Sequence, residues 1–391
     1  MTRPKILSRP GIHTTAFYFA IFMAIGANVP YWPLWLENWG LSEGDIGLFI
    51  GLGIAIRVVA GVAIPVLADR LDARRRSLAV LCVAAGVFFF AHFWIESRMT
   101  LLLVTIAVGV FLAGAMPIAE ALSAAAARHF NFEYAHARGA GTLSFLIANL
   151  IGGILIAWFG FGFLVGWIAL ALIVAGCVAW THPGGGFVQS APPRFREIGK
   201  LMLTPSFAIF TAAIALPQAS QAVMFTYGSI HWRDLGFSEA TIGMLWGLSV
   251  TVEIVFMLLM GGRLIAWLGP VGAMALSAGA AMIRWTVMAF DPGLAVLIPL
   301  QAMHALTFAA GHLGAIAFIS VAIPERFGAS AQGLFGGLAI GVCLASATLV
   351  AHVLFPLYGG ETYFLGTGMA AAGLGFCIWL RKNWNGRAIL V

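Results

Sequence analysis

The stretch GLSEGDIGLFIGLGIAIR, Gly40 to Arg57, returns later in the chain as GFSEATIGMLWGLSVTVE, Gly236 to Glu253. The offset is 196 residues at both ends (236 − 40 and 253 − 57), close to half of the 391-residue chain. Gly40, Ser42, Glu43, Ile46, Gly47, Gly51 and Leu52 recur as Gly236, Ser238, Glu239, Ile242, Gly243, Gly247 and Leu248. Tyr31 recurs as Tyr227 at the same offset. A duplication of this size in a hydrophobic chain implies two similar helical bundles, as in carriers built from internal repeats. The two copies end on opposite charges, Arg57 and Glu253, inside apolar runs.

Composition sets the surroundings. Hydrophobic residues make up 61% of the chain and charged residues 9%, with a mean hydropathy of +0.97. A soluble domain needs far more polar surface. Twelve apolar stretches approach the ~20 residues that cross a bilayer as helix. Their cores are 13–36, 44–68, 77–95, 100–127, 138–159, 161–181, 205–231, 239–262, 271–289, 293–322, 331–357 and 361–380. The runs are continuous rather than alternating, which argues against a barrel of strands. The first run lacks a small-residue cleavage site and reads as a span, not a removed signal. The expectation is an all-α membrane protein: residues 1–181 and 205–391 form pseudo-symmetric six-helix bundles, and a cytoplasmic linker, 182–204, joins them. That linker carries PGGG, PP and the basic residues Arg194, Arg196 and Lys200.

Charge sets the orientation. With twelve spans, one side collects nearly all the arginines and lysines, among them Arg3, Lys5, Arg9, Arg70, Arg74, Arg75, Arg76, Arg128, Arg263, Arg326, Arg381 and Lys382. The opposite loops carry only Arg98 and Arg233. Both termini are therefore expected in the cytoplasm, in a multi-pass protein of the inner (plasma) membrane. The pI near 9.5 reflects this topology, and no nucleic-acid partner is expected. Cys82, Cys177, Cys343 and Cys377 lie in apolar spans without a pairing pattern, so neither a disulfide framework nor a zinc site is expected. No cofactor is implied.

A charge at the bilayer centre costs about 2.5–3.5 kcal/mol on insertion scales, so intramembrane charges need partners and usually carry function. This chain places Arg57, Glu120, Arg138, Glu253 and Arg284 in or at the edge of spans, with Gln301, His304 and His312 in the tenth. A carboxylate that alternates between charged and neutral forms can carry a proton. A nearby arginine that binds an anionic solute can shift that balance. Glu253 is the first candidate for the proton site and Glu120 the second. His304 and His312, eight residues apart, share a helix face two turns apart and complete the proton-coupling candidates. Arg284 is the first candidate for a substrate carboxylate, which guanidinium binds bidentately. Arg57, Arg138, Gln301, Tyr31 and Tyr227 are the further substrate-binding candidates, and Tyr31, Phe225 and Tyr227 could stack on a ring. For each charge the alternative is a static ion pair. Arg57 could pair with Glu253 or Glu120, and if it held Glu253 permanently, Glu120 would become the proton carrier.

Over its full length the chain resembles the major facilitator superfamily. Asp69, Arg70, Arg74 and Arg75, in ADRLDARRR after the second span, resemble its cytoplasmic signature loop. Here Pro65 stands for the leading glycine and Asp72-Ala73 for the later one. NFEYAHARGAG, Asn131 to Gly141, is similar to the loop entering span five of the lactose permease group. Glu120 and Arg138 match that group's sugar-binding glutamate and arginine, and Glu253, Arg284 and His304 match its acidic, basic and histidine positions. Gln301 and Thr307 replace the charged residues that flank the histidine there. The resemblance to the phenylpropionate permease group is closer. It rests on PYWPLWLENWGLS, IGLFIGLGIAIR, WGLSVTVE, IRWTVM and HALTFAAGH, in order on the corresponding spans.

The resemblance implies proton-coupled symport of a small organic solute such as an aromatic carboxylic acid, by alternating access in a monomer. A sugar or nucleoside symporter is the nearest alternative, then a drug or metabolite efflux antiporter. A non-transporting membrane sensor is the alternative of a different class. No HExxH or phosphate loop is present, so enzymatic chemistry is not expected.

Overall fold

The structure, a computed structural model, describes residues 8–71, 73–184, 200, 202–323, 331, 334–386 and 389. Arg3, Lys5, Asp72, Arg194, Arg196, Arg326 and Arg387 lie outside the described residues, as does the side chain of Asp69. The regular elements among the described residues are helical. They are α1 (Arg9–Asn38), α2 (Glu43–Arg70), α3 (Arg74–Phe90), α4 (Arg98–Phe130), α5 (Tyr134–Phe159) and α6 (Phe161–Trp180). There follow α7 (Pro205–Ala219), α8 (Ala222–Asp234), α9 (Glu239–Met288), α10 (Leu294–Ala302) and α11 (Gly311–Ala322). The last are α12 (Gly341–Tyr358) and α13 (Tyr363–Asn383). Short π-helical turns, Ala305–Ala310 and Leu334–Ile340, precede α11 and α12.

Among the described residues, ten helical stretches are long and apolar enough to cross a membrane. Two of them, Glu239–Met288 and Leu334–Asn383, are 50 residues long. At 1.5 Å per residue, each far exceeds one bilayer core. The first is broken at Gly269, whose φ of 67° leaves the helical region just before Pro270. The second is interrupted by the 3₁₀ turn Gly359–Thr362. The expected loop between 262 and 271 is thus mostly helix. The stretch expected as one span over 205–231 divides into α7 and α8 at Ser220 and Gln221.

The repeated motif has a local physical meaning. Gly40 and Gly236 both adopt positive φ, 106° and 89°, which glycine reaches without a Cβ penalty. The serine two positions later caps the next helix in each copy. Ser42 Oγ accepts from Asp45 N at 3.2 Å, and Ser238 Oγ accepts from Thr241 N at 3.3 Å. Each bond satisfies one of the backbone donors left free at a helix start. Ile46 and Ile242 are then fully buried, anchoring the first turn.

By contact the chain divides into two compact units. The first comprises Met1–Leu41, Leu52–Gln189 and Gly236–Met244. The second comprises Ser42–Gly51, Ser190–Leu235 and Leu245–Val391. In the first, α1 packs on α5 and α6, and α3 packs on α4 and α6. In the second, α7 packs on α13, and Phe210, Phe318, Met274 and Cys377 share a buried core. Tyr31 and Gly243 meet inside the first unit, and Tyr227 and Gly47 meet inside the second. These are equivalent pairs under the repeat, because 31 + 196 = 227 and 47 + 196 = 243.

The chain just after α6 is packed against its own unit. His182 is fully buried. Its Nδ1 accepts from Gly184 N at 3.1 Å, and its Nε2 lies 3.3 Å from Ser123 Oγ. This arrangement requires the neutral ring. Burial pushes the His182 pKa down to about 4, with His13 and Arg75 adding to the shift.

Two predictions follow from this packing. A Cβ on Gly47 would meet the Tyr227 hydroxyl, with His352 Cβ at 2.8 Å, whereas nothing lies within 4 Å of one on Gly53. Gly47→Ala should destabilise the purified protein by about 1–3 kcal/mol. Gly53→Ala should be neutral or stabilising by up to about 1 kcal/mol. Thermal unfolding in detergent checks both, and equal effects would contradict the packing. For His182, the unfolded chain takes up a proton below about pH 6.5, while the folded chain resists until about pH 4. Stability should therefore fall as pH drops through that window and level off below it. A His182→Gln variant should show a shallower fall in melting temperature over the same range.

Candidate functional site

The second unit buries a guanidinium. Arg284, in the second half of α9, is 1% exposed. Its Nη2 donates to Gln301 Oε1 at 2.8 Å, and its Nη1 donates to Thr307 Oγ1 at 3.1 Å. Nη1 also lies 3.2 Å from His304 Nδ1. The guanidinium sits 4.6 Å from the Trp285 ring centroid. Trp285 is itself fixed by Nε1 donating to Ser220 Oγ at 2.7 Å and by stacking on Tyr363.

A guanidinium can only donate, so His304 Nδ1 must accept, and the ring is neutral with its proton on Nε2. That Nε2 lies 3.3 Å from Glu253 Oε2. A directed chain results: Arg284 donates to His304, and His304 donates to Glu253. Ser249 Oγ donates to Gln301 Oε1 at 3.3 Å, one turn before Glu253. Gln301 and Thr307 are fully buried, whereas the Glu253 side chain is 18% exposed.

Two donors in this cluster have no acceptor among the described residues. Arg284 Nε and Gln301 Nε2 are both buried and unbonded. Leaving a buried donor unsatisfied costs about 1–3 kcal/mol, more for a charged group. The sequence-predicted residues Glu253, Arg284, Gln301 and His304 thus come together. His312 stands two turns beyond His304 and is joined to it through a ring stack: His304 on Phe308 at 5.4 Å, and Phe308 on His312 at 6.0 Å. Ser249 and Thr307 complete the cluster. Thr307 stands out in the sequence only as the replacement for a charged residue.

The first unit holds a second charged cluster. Arg138 Nε donates to Glu120 Oε1 at 3.0 Å. Tyr134 donates its hydroxyl to Glu120 Oε2, and Tyr18 Oη lies 3.2 Å from Tyr134 Oη. Arg138 rests over the Phe22 ring at 4.2 Å. The pair is partly open, with side chains 32% and 39% exposed. Sequence reasoning missed Tyr18 and Tyr134. The one available signal was the i,i+4 spacing of Tyr134 and Arg138, which places them on one helix face.

Other candidates fall elsewhere. Arg57 does not pair with Glu120. Its Nε donates to Gly53 O at 3.2 Å, and it has no salt bridge among the described residues of its unit. Tyr31 and Tyr227 are fully buried. Their hydroxyls donate to Asn149 O at 2.6 Å and Glu43 O at 3.0 Å. Tyr227 also stacks on Phe355. Neither offers a ring to a solute here, contrary to the expectation from sequence. Phe225 stacks on Trp246. In the signature loop, Arg70 and Arg75 are exposed, and Arg74 opens α3.

The profile of the MFS_1 like family matches residues 12–365. The chain is 27% identical over 364 residues to a probable 3-phenylpropionic acid transporter of Escherichia coli (strain K12), covering 89% of this chain and 92% of that one. It is 24% identical to a maltose permease of Geobacillus stearothermophilus, covering 86% of each. In fold it is similar to a crystal structure of a mutant of the nucleoside transporter NupG. The TM-score is 0.84 at 15% identity, covering 96% of this chain and 100% of that one. A bacterial homolog of the human lysosomal transporter Spinster, inward-facing and unoccupied, gives a TM-score of 0.66 at 16% identity, covering 95% and 94%. A family match across most of the chain, on an apolar helical fold of this kind, places the protein in the MFS_1 like family: it is a membrane transporter of the major facilitator type and not an enzyme.

Proposed function

We propose that this transporter is a proton-coupled symporter of a small organic carboxylate, with an aromatic acid as its leading substrate. The observation that carries the reading is the buried Arg284–Gln301 pair with an orphan donor on each residue. A spare guanidinium donor and a spare amide donor on two bonded side chains suit a ligand that only accepts, such as a carboxylate. The relative named as a probable 3-phenylpropionic acid transporter points to the same chemistry.

The chain from Arg284 through His304 to Glu253 supplies a route to coupling. When a solute carboxylate engages Arg284, the guanidinium no longer needs His304 Nδ1 as an acceptor. The freed Nδ1 can then take a proton, and the resulting imidazolium stays held by Nε2 donating to Glu253. Anion and proton enter together, and the buried cluster keeps its net charge, which limits the desolvation cost. Counting each 50-residue stretch as two crossings gives twelve spans (10 + 2). The halves 1–181 and 205–391 alternate access as a monomer in the inner membrane. The excess of arginine and lysine on one side supports a cytoplasmic location for both termini.

The cluster of Glu120, Arg138, Tyr134 and Tyr18 favours a second reading, symport of a sugar or nucleoside. A carboxylate, a guanidinium and two hydroxyls suit a polyol, and relatives include a maltose permease and a lactose permease.

Uptake into proteoliposomes with an imposed pH gradient separates these readings, using 3-phenylpropionate, maltose, lactose and a nucleoside in parallel. Gradient-dependent uptake of the acid alone supports carboxylate symport. Uptake of a sugar or nucleoside alone supports the second reading, and uptake insensitive to the gradient rejects coupling. In Glu253→Gln, driven uptake should fall at least tenfold while equilibrium exchange persists, and wild-type driven uptake would remove Glu253 from the proton path. Arg284→Lys should weaken carboxylate binding by about 1.5–3 kcal/mol, roughly ten- to a hundredfold in Kd, and spare neutral analogues. Equal losses for acid and neutral analogue would make Arg284 structural.

A further inference from the structure

The helix that carries Gln301 and His304 is not a regular α-helix. Between α10 and α11 the chain forms a π-helical turn, Ala305–Ala310. Such a turn adds one residue to the helical register and recurs at functional sites. Relative to a straight α-helix, it rotates everything beyond it by about 100°. Thr307, inside the turn, places its hydroxyl on Arg284 at 3.1 Å and lies 3.3 Å from the His304 carbonyl.

Two buried side chains from other helices grip this turn. Ser277 Oγ in α9 donates to Thr307 O at 2.7 Å. Gln218 Nε2 in α7 donates to Phe308 O at 3.1 Å and reaches Thr307 O at 3.5 Å. Ser277 is fully buried and Gln218 is 4% exposed. Gly311, at the end of the turn, leaves the opening they pass through. A Cβ there would lie 2.6 Å from Ser277 Oγ and 2.7 Å from Gln218 Nε2. Neither residue has a hydrogen bond to Arg284, Glu253 or His304, and the Arg284 cluster by itself gives no reason for either.

We infer that Gln218 and Ser277 are positioning residues of the Arg284 site: by holding the Thr307 and Phe308 carbonyls they keep the π turn, and the π turn keeps Thr307 and His304 on the guanidinium. A buried backbone carbonyl needs a donor. With both side-chain donors removed, the turn regains full pairing by relaxing to α-helix. That relaxation turns His304 and Gln301 by about one residue's rotation relative to α11. Thr307 and His304 then cannot both remain on Arg284, which itself belongs to α9. The inference rests on the reading of Arg284 as the carboxylate site for its transport consequence, but not for its structural content.

The test uses Ser277→Ala, Gln218→Met and their combination in the full-length protein. Amide hydrogen exchange over residues 303–313 in detergent reads the turn without any transport. The double variant should exchange at least tenfold more slowly there, because a fully paired α-helix protects these amides better than the π turn, with the remaining helices unchanged, and exchange equal to or faster than wild type overturns the inference. Uptake kinetics read the consequence. A carrier that is only less well folded loses Vmax at constant KM. Loss of positioning should raise KM for the carboxylate at least fivefold, with Vmax per folded molecule within twofold. A lowered Vmax at unchanged KM also overturns the inference. If the double variant does not fold, Ser277→Ala, which deletes one hydroxyl, carries the same readouts. If wild type carries no carboxylate, the functional reading falls, and the exchange measurement still decides whether the clamp exists.

Discussion

The second unit is organised around a guanidinium that has been taken out of water. Burying an ion costs several kcal/mol even after relaxation unless its hydrogen bonds are met. Arg284 meets most of them with neutral groups: the Gln301 carbonyl oxygen, the Thr307 hydroxyl and a histidine nitrogen. Among the described residues no carboxylate bonds to it directly, and Glu253 is reached through His304. A neutral ring between cation and anion is what allows the two charges to respond to each other without collapsing into a permanent pair. The surrounding features serve the same end. Trp285 is locked beneath the guanidinium, Ser249 fixes Gln301, and the π turn aims Thr307.

The two halves share a scaffold and diverge in chemistry. Gly40 and Gly236 turn the chain, and Ser42 and Ser238 start the next helix with the same cap. On that common frame the first unit satisfies its arginine with a carboxylate in a partly open cluster, Arg138 with Glu120. The second buries its arginine and leaves it with a spare donor. A satisfied ion pair stores little capacity to respond, whereas a buried donor without an acceptor is a standing preference for an anion.

Much of this was legible in the sequence because hydropathy and the cost of intramembrane charge are strong signals. The apolar helical character, the repeat and the residues Glu253, Arg284, Gln301 and His304 could be named from them, but not every helix boundary. Tyr18, Tyr134, Gln218 and Ser277 could not. Their roles depend on which carbonyl or hydroxyl from a distant helix comes within 3 Å, and no local pattern encodes that. The π turns were equally hidden, because an apolar helix facing lipid and protein has no polar stripe to reveal a shift in register. Tyr31 and Tyr227 misled for a related reason. Aromatic character suggested a stacking platform, while burial against Gly243 and Gly47 makes them packing residues.

The central claim is that Arg284 Nε and Gln301 Nε2 await a carboxylate. A structure of the protein with 3-phenylpropionate bound tests it most directly. The account predicts a carboxylate oxygen within hydrogen-bond distance of both atoms and His304 Nδ1 released from the guanidinium. A carboxylate held by Arg138 or Arg57, with the Arg284–His304 contact intact, would contradict it.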